Sequence, residues 1–231
     1  MLAGLPAAVQ KWLGRSGVIG KEKIYFVRMK QKIEIRSNPG DKKLCFKAER
    51  YFSPQSPVLV WQTRMQKIPL TCLNRNINAE NNHDKILTSD LPWSDLIKAS
   101  RNKKMNERTL LLYLSEICWF PSAALNKYIQ WEAINTHSAK VTINCKGSIV
   151  SGVFEFDKNG DMVNFSSGNC CYNGQYAPVE KWQVEIKAYS QFNGIRIPGE
   201  SEIKWKTTTG NINSIKLEIT DLEFNKAELY R

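Results

Sequence analysis

The sequence has few of the residues on which most enzyme and metal sites depend. Among 231 residues there are only two histidines, His83 and His137, and both have polar neighbours. There is no G-x-S-x-G elbow, no H-E-x-x-H motif, no P-loop and no dinucleotide-binding fingerprint. These absences disfavour the common motif-bearing hydrolases, zinc enzymes and nucleotide-binding enzymes. We therefore predict no catalytic motif, no metal site and no cofactor.

The six cysteines lack the spacing of a metal or redox site. None forms a C-x-x-C pair, and Cys170 and Cys171 are adjacent, which suits neither a shared zinc ion nor an easy mutual disulfide. Several others occur in apolar segments, where a free cysteine behaves as a small hydrophobic residue. We expect reduced, structural thiols, which favours a reducing compartment and leaves the periplasm open.

Long apolar runs are also missing. No run reaches the roughly 18 residues needed to cross a bilayer, and no signal peptide with a cleavage site is visible. The opening MLAGLP is compatible with a natural start and with the cut end of a longer protein. The compartment stays open between the cytoplasm and attachment to a membrane through a segment outside this sequence, and the oligomeric state is equally open.

Positive charge is concentrated in one half of the chain. Residues 1–110 contain 21 Lys and Arg against 9 Asp and Glu, whereas residues 111–231 contain 12 against 13. A basic half favours an anionic membrane surface or a nucleic acid as partner. The alternative is a solvated basic face that maintains solubility.

Apolar and basic residues alternate from Ile24 onwards, which predicts a strand with two different faces. One face carries Tyr25, Val27, Met29, Gln31, Ile33 and Ile35. The other carries Arg28, Lys30 and Lys32, which we predict as a membrane-surface row. Nucleic acid is disfavoured as a partner because the aromatic residues lie mostly on the opposite face from the charges.

Similar alternation recurs along the chain and predicts about ten strands joined by short turns. The last of these, 212–224, changes phase near Asp221, as a β-bulge would cause. Strands joined by tight turns pair antiparallel, and a sheet of this size curls strongly. We predict a mainly β (α+β) fold in which a strongly curved antiparallel sheet, a half or incomplete barrel, holds a helix in its concave face.

We predict a single domain over residues 1–231. It comprises a short helix at 5–13, sheet at 24–88, a helical insert at 90–125 and further sheet at 127–225. The strongest helix, 107–119, is apolar nearly all round, which is typical of a buried helix.

Glu116 is the one carboxylate within the apolar stretch 112-LYLSEICWFP-121. An enclosed carboxylate has a raised pKa and is a candidate general acid or base. The alternative, which we favour, is that Glu116 pairs with an Arg or Lys of the basic strands and anchors the helix to the sheet.

Tryptophans on the apolar faces either fill the core or line a pocket for a hydrophobic ligand. We predict a non-enzymatic binder of a hydrophobic or lipidic ligand, acting at an anionic membrane surface. Its ligand-binding residues would be Glu116, Tyr113, Trp119, Trp61 and Trp205, with Glu116 orienting a polar head or locking the helix. The alternatives are a hydrolase-like enzyme that uses Glu116 and a scaffold without a small ligand.

A resemblance supports this outline. The segments 5-LPAAVQKWL-13, 48-AERYF-52, 113-YLSEICWFP-121, 154-FEFD-157 and 194-GIRIP-198, with Trp61, Trp131 and Trp205, resemble a bacterial family of uncharacterised function. This resemblance covers nearly the whole chain and brings no catalytic residues with it. Some relatives carry an arginine-containing segment where this chain has 166-SSGNCCYNG-174. The architecture also resembles the lipoprotein carriers of the LolA and LolB type, whose incomplete barrels hold acyl chains in the concave face.

Overall fold

The structure is a computed structural model that describes residues 2–36, 43–52, 54, 62–67, 103–145, 147–168, 179–207, 212–228 and 230. In these residues there are two α-helices, α1 (Ala7–Ser16) and α2 (Lys103–Glu116), and two 3-10 helices, Ile117–Trp119 and Pro121–Leu125. The strands are β1 (Val27–Arg36), β2 (Leu44–Phe52), β3 (Gln62–Lys67), β4 (Ile129–Asn135), β5 (Ser138–Cys145), β6 (Ser148–Phe156), β7 (Met162–Gly168), β8 (Val179–Phe192), β9 (Ile195–Thr207) and β10 (Ile212–Phe224).

The ten strands form one sheet in the order β3-β2-β1-β10-β9-β8-β7-β6-β5-β4. Neighbouring strands pair antiparallel from β2–β3 at one side to β4–β5 at the other. Strand β1 pairs with β10, so the first and last strands of the chain are neighbours in the interior of the sheet and not at its edges. Strands β3 and β4 are the edges and are not paired with each other in the described residues, so the sheet is not closed into a barrel.

The alternation of apolar and polar residues in the sequence matches the alternation of buried and exposed side chains in the strands. In β1, Val27, Met29, Gln31, Ile33 and Ile35 are buried, and the residues between them are partly or fully exposed. Tyr25, which precedes the strand, is 42% exposed and leaves this pattern. One face of the sheet is therefore apolar and covered, as predicted, and the other faces solvent.

Two local features of the sheet follow directly from the sequence. In β10, Asp221 pairs with Lys30 and Ile219 with Gln31, so Thr220 forms the predicted bulge. Asn193 and Gly194 both have positive φ, 49° and 72°, in the two-residue turn between β8 and β9. This is the conformation for which Asn-Gly is the preferred hairpin sequence.

Both predicted helices exist, but with different limits. Helix α1 extends to Ser16 rather than residue 13, because Gly17, not Gly14, adopts the left-handed conformation that ends it. Helix α2 covers residues 103–116, and residues 117–119 tighten into a 3-10 turn. Pro121 disfavours a helical conformation at Phe120, so the chain must leave the helix here.

Contacts of α2 show that the sheet curves around it. The helix contacts β5 and β6, and the following 3-10 turn contacts β9. Its last residue, Glu116, is hydrogen bonded to Arg50 of β2. Because β2 and β6 are six strands apart in the sheet, a flat sheet would separate them by about 29 Å. The predicted helix in a concave apolar face is thus confirmed.

Parts of the predicted sheet at 68–88 and of the predicted helical insert at 90–102 lie outside the described residues. No helix in the described part of the chain is long and apolar enough to cross a membrane. Cys45, Cys118 and Cys145 are free thiols.

Candidate functional site

Arg50 is the residue around which the candidate site is built. It lies in β2 on the same face as Phe46, Ala48 and Phe52, all of them buried. Strand alternation therefore directs its guanidinium into the apolar interior, where the side chain is 2% exposed. A buried arginine needs partners that replace its hydration.

Glu116 is the principal partner of this arginine. Arg50 Nη2 donates a hydrogen bond to Glu116 Oε1 at 2.7 Å, and the glutamate side chain is 4% exposed. The carboxylate thus has the arginine partner that the anchoring interpretation predicts. The pair joins the C-terminal end of α2 to β2.

Burial and pairing act in opposite directions on the pKa of Glu116. Burial disfavours the charged carboxylate and raises the pKa, while the positive charge and hydrogen bond of Arg50 lower it. The outcome is a pKa of about 7. Burial likewise lowers the pKa of Arg50, against the effect of Glu116, but a guanidinium remains protonated at neutral pH.

Aromatic rings and one amide complete the surroundings of Arg50. Its Cζ lies 4.8 Å from the centroid of the Phe52 ring and 5.6 Å from that of the Trp119 ring. Arg50 Nη1 is 3.5 Å from Oε1 of Gln31, a residue that is 1% exposed. We call Gln31, Arg50, Glu116 and Trp119 the buried polar cluster.

The buried polar cluster retains hydrogen-bonding capacity that the described protein atoms do not fill. Gln31 Nε2 and Trp119 Nε1 are buried donors, and Glu116 Oε2 is a buried acceptor, each without a partner among the described residues. An unsatisfied buried polar atom costs about 1–3 kcal/mol, so such atoms are rare. Three such atoms thus lie close to one arginine.

Tyr113 belongs to a neighbouring hydrogen-bonded group one turn earlier on α2. Its hydroxyl donates to the Pro54 carbonyl at 2.5 Å, and the same carbonyl accepts from Tyr128 at 2.8 Å and from Asn126 at 3.1 Å. Burial raises the pKa of Tyr113, so its hydroxyl stays neutral. This group fixes the chain just after β2 against the helix.

The structure brings together three of the five predicted ligand-binding residues. Glu116 and Trp119 both contact Arg50. Tyr113 is connected to Arg50 through two aromatic rings. The Phe120 ring lies 5.6 Å, centroid to centroid, from the Tyr113 ring and also from the Phe52 ring, and Phe52 packs on Arg50. Trp61 lies outside the described residues. For Trp205, the backbone in β9 is described and the side chain is not.

Sequence analysis missed Arg50 and the role of Gln31. Both are polar residues in phase with apolar positions of a strand, Gln31 with Met29 and Ile33, and Arg50 with Ala48 and Phe52. A polar residue on the covered face of a strand must find a buried partner. That phase is the signal that identifies both.

The predicted membrane-surface row lies on the outer face of the sheet and is largely compensated. Arg28 pairs with Glu223, its direct neighbour across β1 and β10. Lys32 pairs in the same way with Glu218 at 3.1 Å. Lys30 lies 4.3 Å from the centroid of the Tyr230 ring. The membrane role of this row stays a prediction.

The chain belongs to the family of unknown function DUF6544, which its residues 1–217 match. This confirms the resemblance to a family of uncharacterised function. No curated protein matches the chain significantly.

Several solved structures are similar in architecture. A domain of an outer membrane lipoprotein-sorting protein from Vibrio parahaemolyticus is 8% identical, with a TM-score of 0.41, over 96% of this chain and 93% of that one. The LolA superfamily protein NE2245 from Nitrosomonas europaea is 9% identical, with a TM-score of 0.44, over 95% and 94%. A DUF1329 family protein from Desulfovibrio piger is 11% identical, with a TM-score of 0.42, over 96% and 94%. All three TM-scores are below 0.5, so these likenesses carry no conclusion about what this chain does.

Proposed function

We propose that this protein binds a hydrophobic or lipidic ligand between α2 and the inner face of the sheet, and carries it without chemical change. The observation that carries this proposal is the buried polar cluster. It places unfilled donors and an acceptor within an apolar and aromatic interior. Binding sites for small amphiphilic molecules have this composition, mostly apolar with a few convergent polar groups.

Carriage is favoured over catalysis by the surroundings of Glu116. A general acid or base needs a reactive partner or substrate within hydrogen-bond reach. Among the described residues, the hydrogen-bond partner of Glu116 is Arg50, which is a poor proton acceptor or nucleophile. The ion pair therefore positions the helix and the ligand head.

The polar head of the ligand would lie at the buried polar cluster, and its apolar part would lie along the inner face. Ala48 is a small buried residue directly opposite Gln31 in the pairing of β1 and β2. A larger side chain at this position would project beside the proposed head-group site. Ala8, which is buried in α1, allows the same substitution away from the cluster.

Native mass spectrometry and solvent extraction of the purified protein test this proposal, together with titration with the apolar dye Nile red. We expect a co-purified amphiphile or saturable dye binding, with either signal reduced at least about fivefold in Ala48→Leu and retained in Ala8→Leu. A ligand-free mass together with no dye binding would overturn the proposal. Equal binding by both variants and the natural chain would place any ligand elsewhere.

A further inference from the structure

The unfilled atoms of the buried polar cluster define the chemistry of the group that would bind there. Trp119 Nε1 can only donate, and Glu116 Oε2, when ionised, can only accept. The amide of Gln31 is oriented by Arg50, because a guanidinium has donors only and the amide oxygen must face it. Gln31 Nε2 is therefore an unfilled donor as well.

All three atoms lie around the same guanidinium. The second oxygen of Glu116 shares its carboxyl carbon with the oxygen bound to Arg50, and Gln31 Nε2 shares its amide carbon with the oxygen facing Arg50. The ring of Trp119 lies against the same guanidinium. A group that complements these atoms must both accept from a donor and donate to the carboxylate.

We infer that the ligand head at this site is an uncharged hydroxyl group, as in a long-chain alcohol or a monoacylglycerol. A hydroxyl has one donor and two acceptor lone pairs, so it can donate to Glu116 Oε2 and accept from Gln31 Nε2 and Trp119 Nε1. This inference rests on the proposed function, and it adds the class of ligand.

Charge balance leads to the same class. Above the Glu116 pKa of about 7, the ionised Arg50 and Glu116 compensate each other at 2.7 Å, and both side chains are almost completely buried. A carboxylate, phosphate or ammonium head would add an uncompensated charge to this interior, with a desolvation cost of several kcal/mol. A neutral head adds none.

Displacement of Nile red by a series of twelve-carbon ligands that differ only in the head group tests the inference. The series is 1-dodecanol, 1-methoxydodecane, dodecanoate and dodecylammonium, titrated at pH 8, above the Glu116 pKa of about 7. We expect 1-dodecanol to bind at least about tenfold more tightly than the two charged ligands. It should also exceed 1-methoxydodecane, which lacks the donor, by about fivefold to tenfold.

Two variants connect the preference to the cluster. Trp119→Phe removes one unfilled donor and keeps an aromatic ring, so it should weaken 1-dodecanol binding about fivefold to tenfold. Trp12→Phe makes the same change in α1, where Trp12 packs against Trp131 and Phe154, and should leave binding unchanged.

The possible failures are distinguishable. If Nile red and all four ligands fail to bind, the proposed function itself is wrong. Equal affinity for all four ligands would overturn the inference, because the cluster would then not recognise the head group. The proposed function would stand, since the protein would still bind apolar chains. Tightest binding of dodecanoate would overturn it too, since the ion pair would then open for an anion.

Discussion

Arg50 and Glu116 are 66 residues apart in the sequence, yet they form an ion pair in the interior. The charge of each residue offsets part of the desolvation cost of the other. Burial of such a pair is not by itself a gain in stability, because the desolvation of both ions offsets their attraction. The pKa of Glu116 is raised because the cost of desolvation exceeds the attraction of Arg50. The pair is therefore better explained by a positioning role than by a stabilising one.

Glu116 should make the folded protein more stable as the pH falls. Its folded pKa of about 7 lies above the ordinary value of 4.5, so between these values the folded state binds more protons than the unfolded state. Its stabilising contribution is complete below about pH 4.5 and is lost as the pH rises through 7, with a maximum of about 3 kcal/mol.

Urea unfolding of the natural chain and of Glu116→Gln, from pH 5 to pH 8, measures this contribution as the difference between the two. We expect the free energy of unfolding of the natural chain to fall relative to the variant as the pH rises. A difference that stays constant or grows with pH would show that Glu116 titrates at or below its ordinary value. The comparison cancels carboxyl groups with lowered pKa, such as Glu185 and Glu223.

At the scale of secondary-structure elements, Asp161 joins α1 to the sheet. It directly precedes β7 and accepts hydrogen bonds from Arg15 of α1 at 2.8 Å and from Arg196 of β9 at 2.7 Å and 3.1 Å. Burial would raise the pKa of Asp161, but the hydrogen bonds and charges of both arginines outweigh it and hold the pKa below its ordinary value.

We expect Asp161→Asn to lower the free energy of unfolding by about 1–2 kcal/mol at pH 7, because both arginines are partly exposed and water screens part of each ion pair. Glu132→Gln is the matched control, since Glu132 is 63% exposed and pairs with Lys140 at the outer face. It should cost less than about 0.5 kcal/mol. Equal losses in urea unfolding would refute the role of Asp161.

Local features were predictable at this scale, and distant partners were not. The alternation of β1, the Asn193-Gly194 turn and the bulge near Asp221 depend on neighbouring residues, so the sequence shows them directly. The partner of Glu116 depends on how the sheet curves, which brings β2 against α2 across a long stretch of chain. Periodicity within a segment contains no information about that approach.

At the scale of the whole molecule, the charge of +11 arises entirely from residues 1–110. The outer-face row Arg28, Lys30 and Lys32 belongs to this half, although two of its members have glutamate partners across β1 and β10. Attraction to a membrane would therefore depend on the wider basic surface as well as on the row.

Vesicle sedimentation tests the membrane prediction. Binding to vesicles with about 30% anionic lipid should fall between 50 mM and 500 mM salt, because salt screens exposed charges. Neutralising Arg28, Lys30 and Lys32 to Gln should weaken it several-fold. The control neutralises Lys140, Lys187 and Lys204, which also pair with carboxylates on the outer face, and should have a smaller effect. If both sets of substitutions weaken vesicle binding equally, the row Arg28, Lys30 and Lys32 has no special role in membrane binding.

The central claim is that a ligand head occupies the buried polar cluster, and the indole N–H resonance of Trp119 reports on it most directly. The chain has seven tryptophans, and the spectrum of Trp119→Phe assigns this signal in a ¹H–¹⁵N correlation. On addition of 1-dodecanol, we expect the Trp119 indole signal to move downfield as its unfilled donor gains an acceptor, while that of Trp12 stays in place. Ligands that displace Nile red but leave the Trp119 signal unmoved would contradict the account.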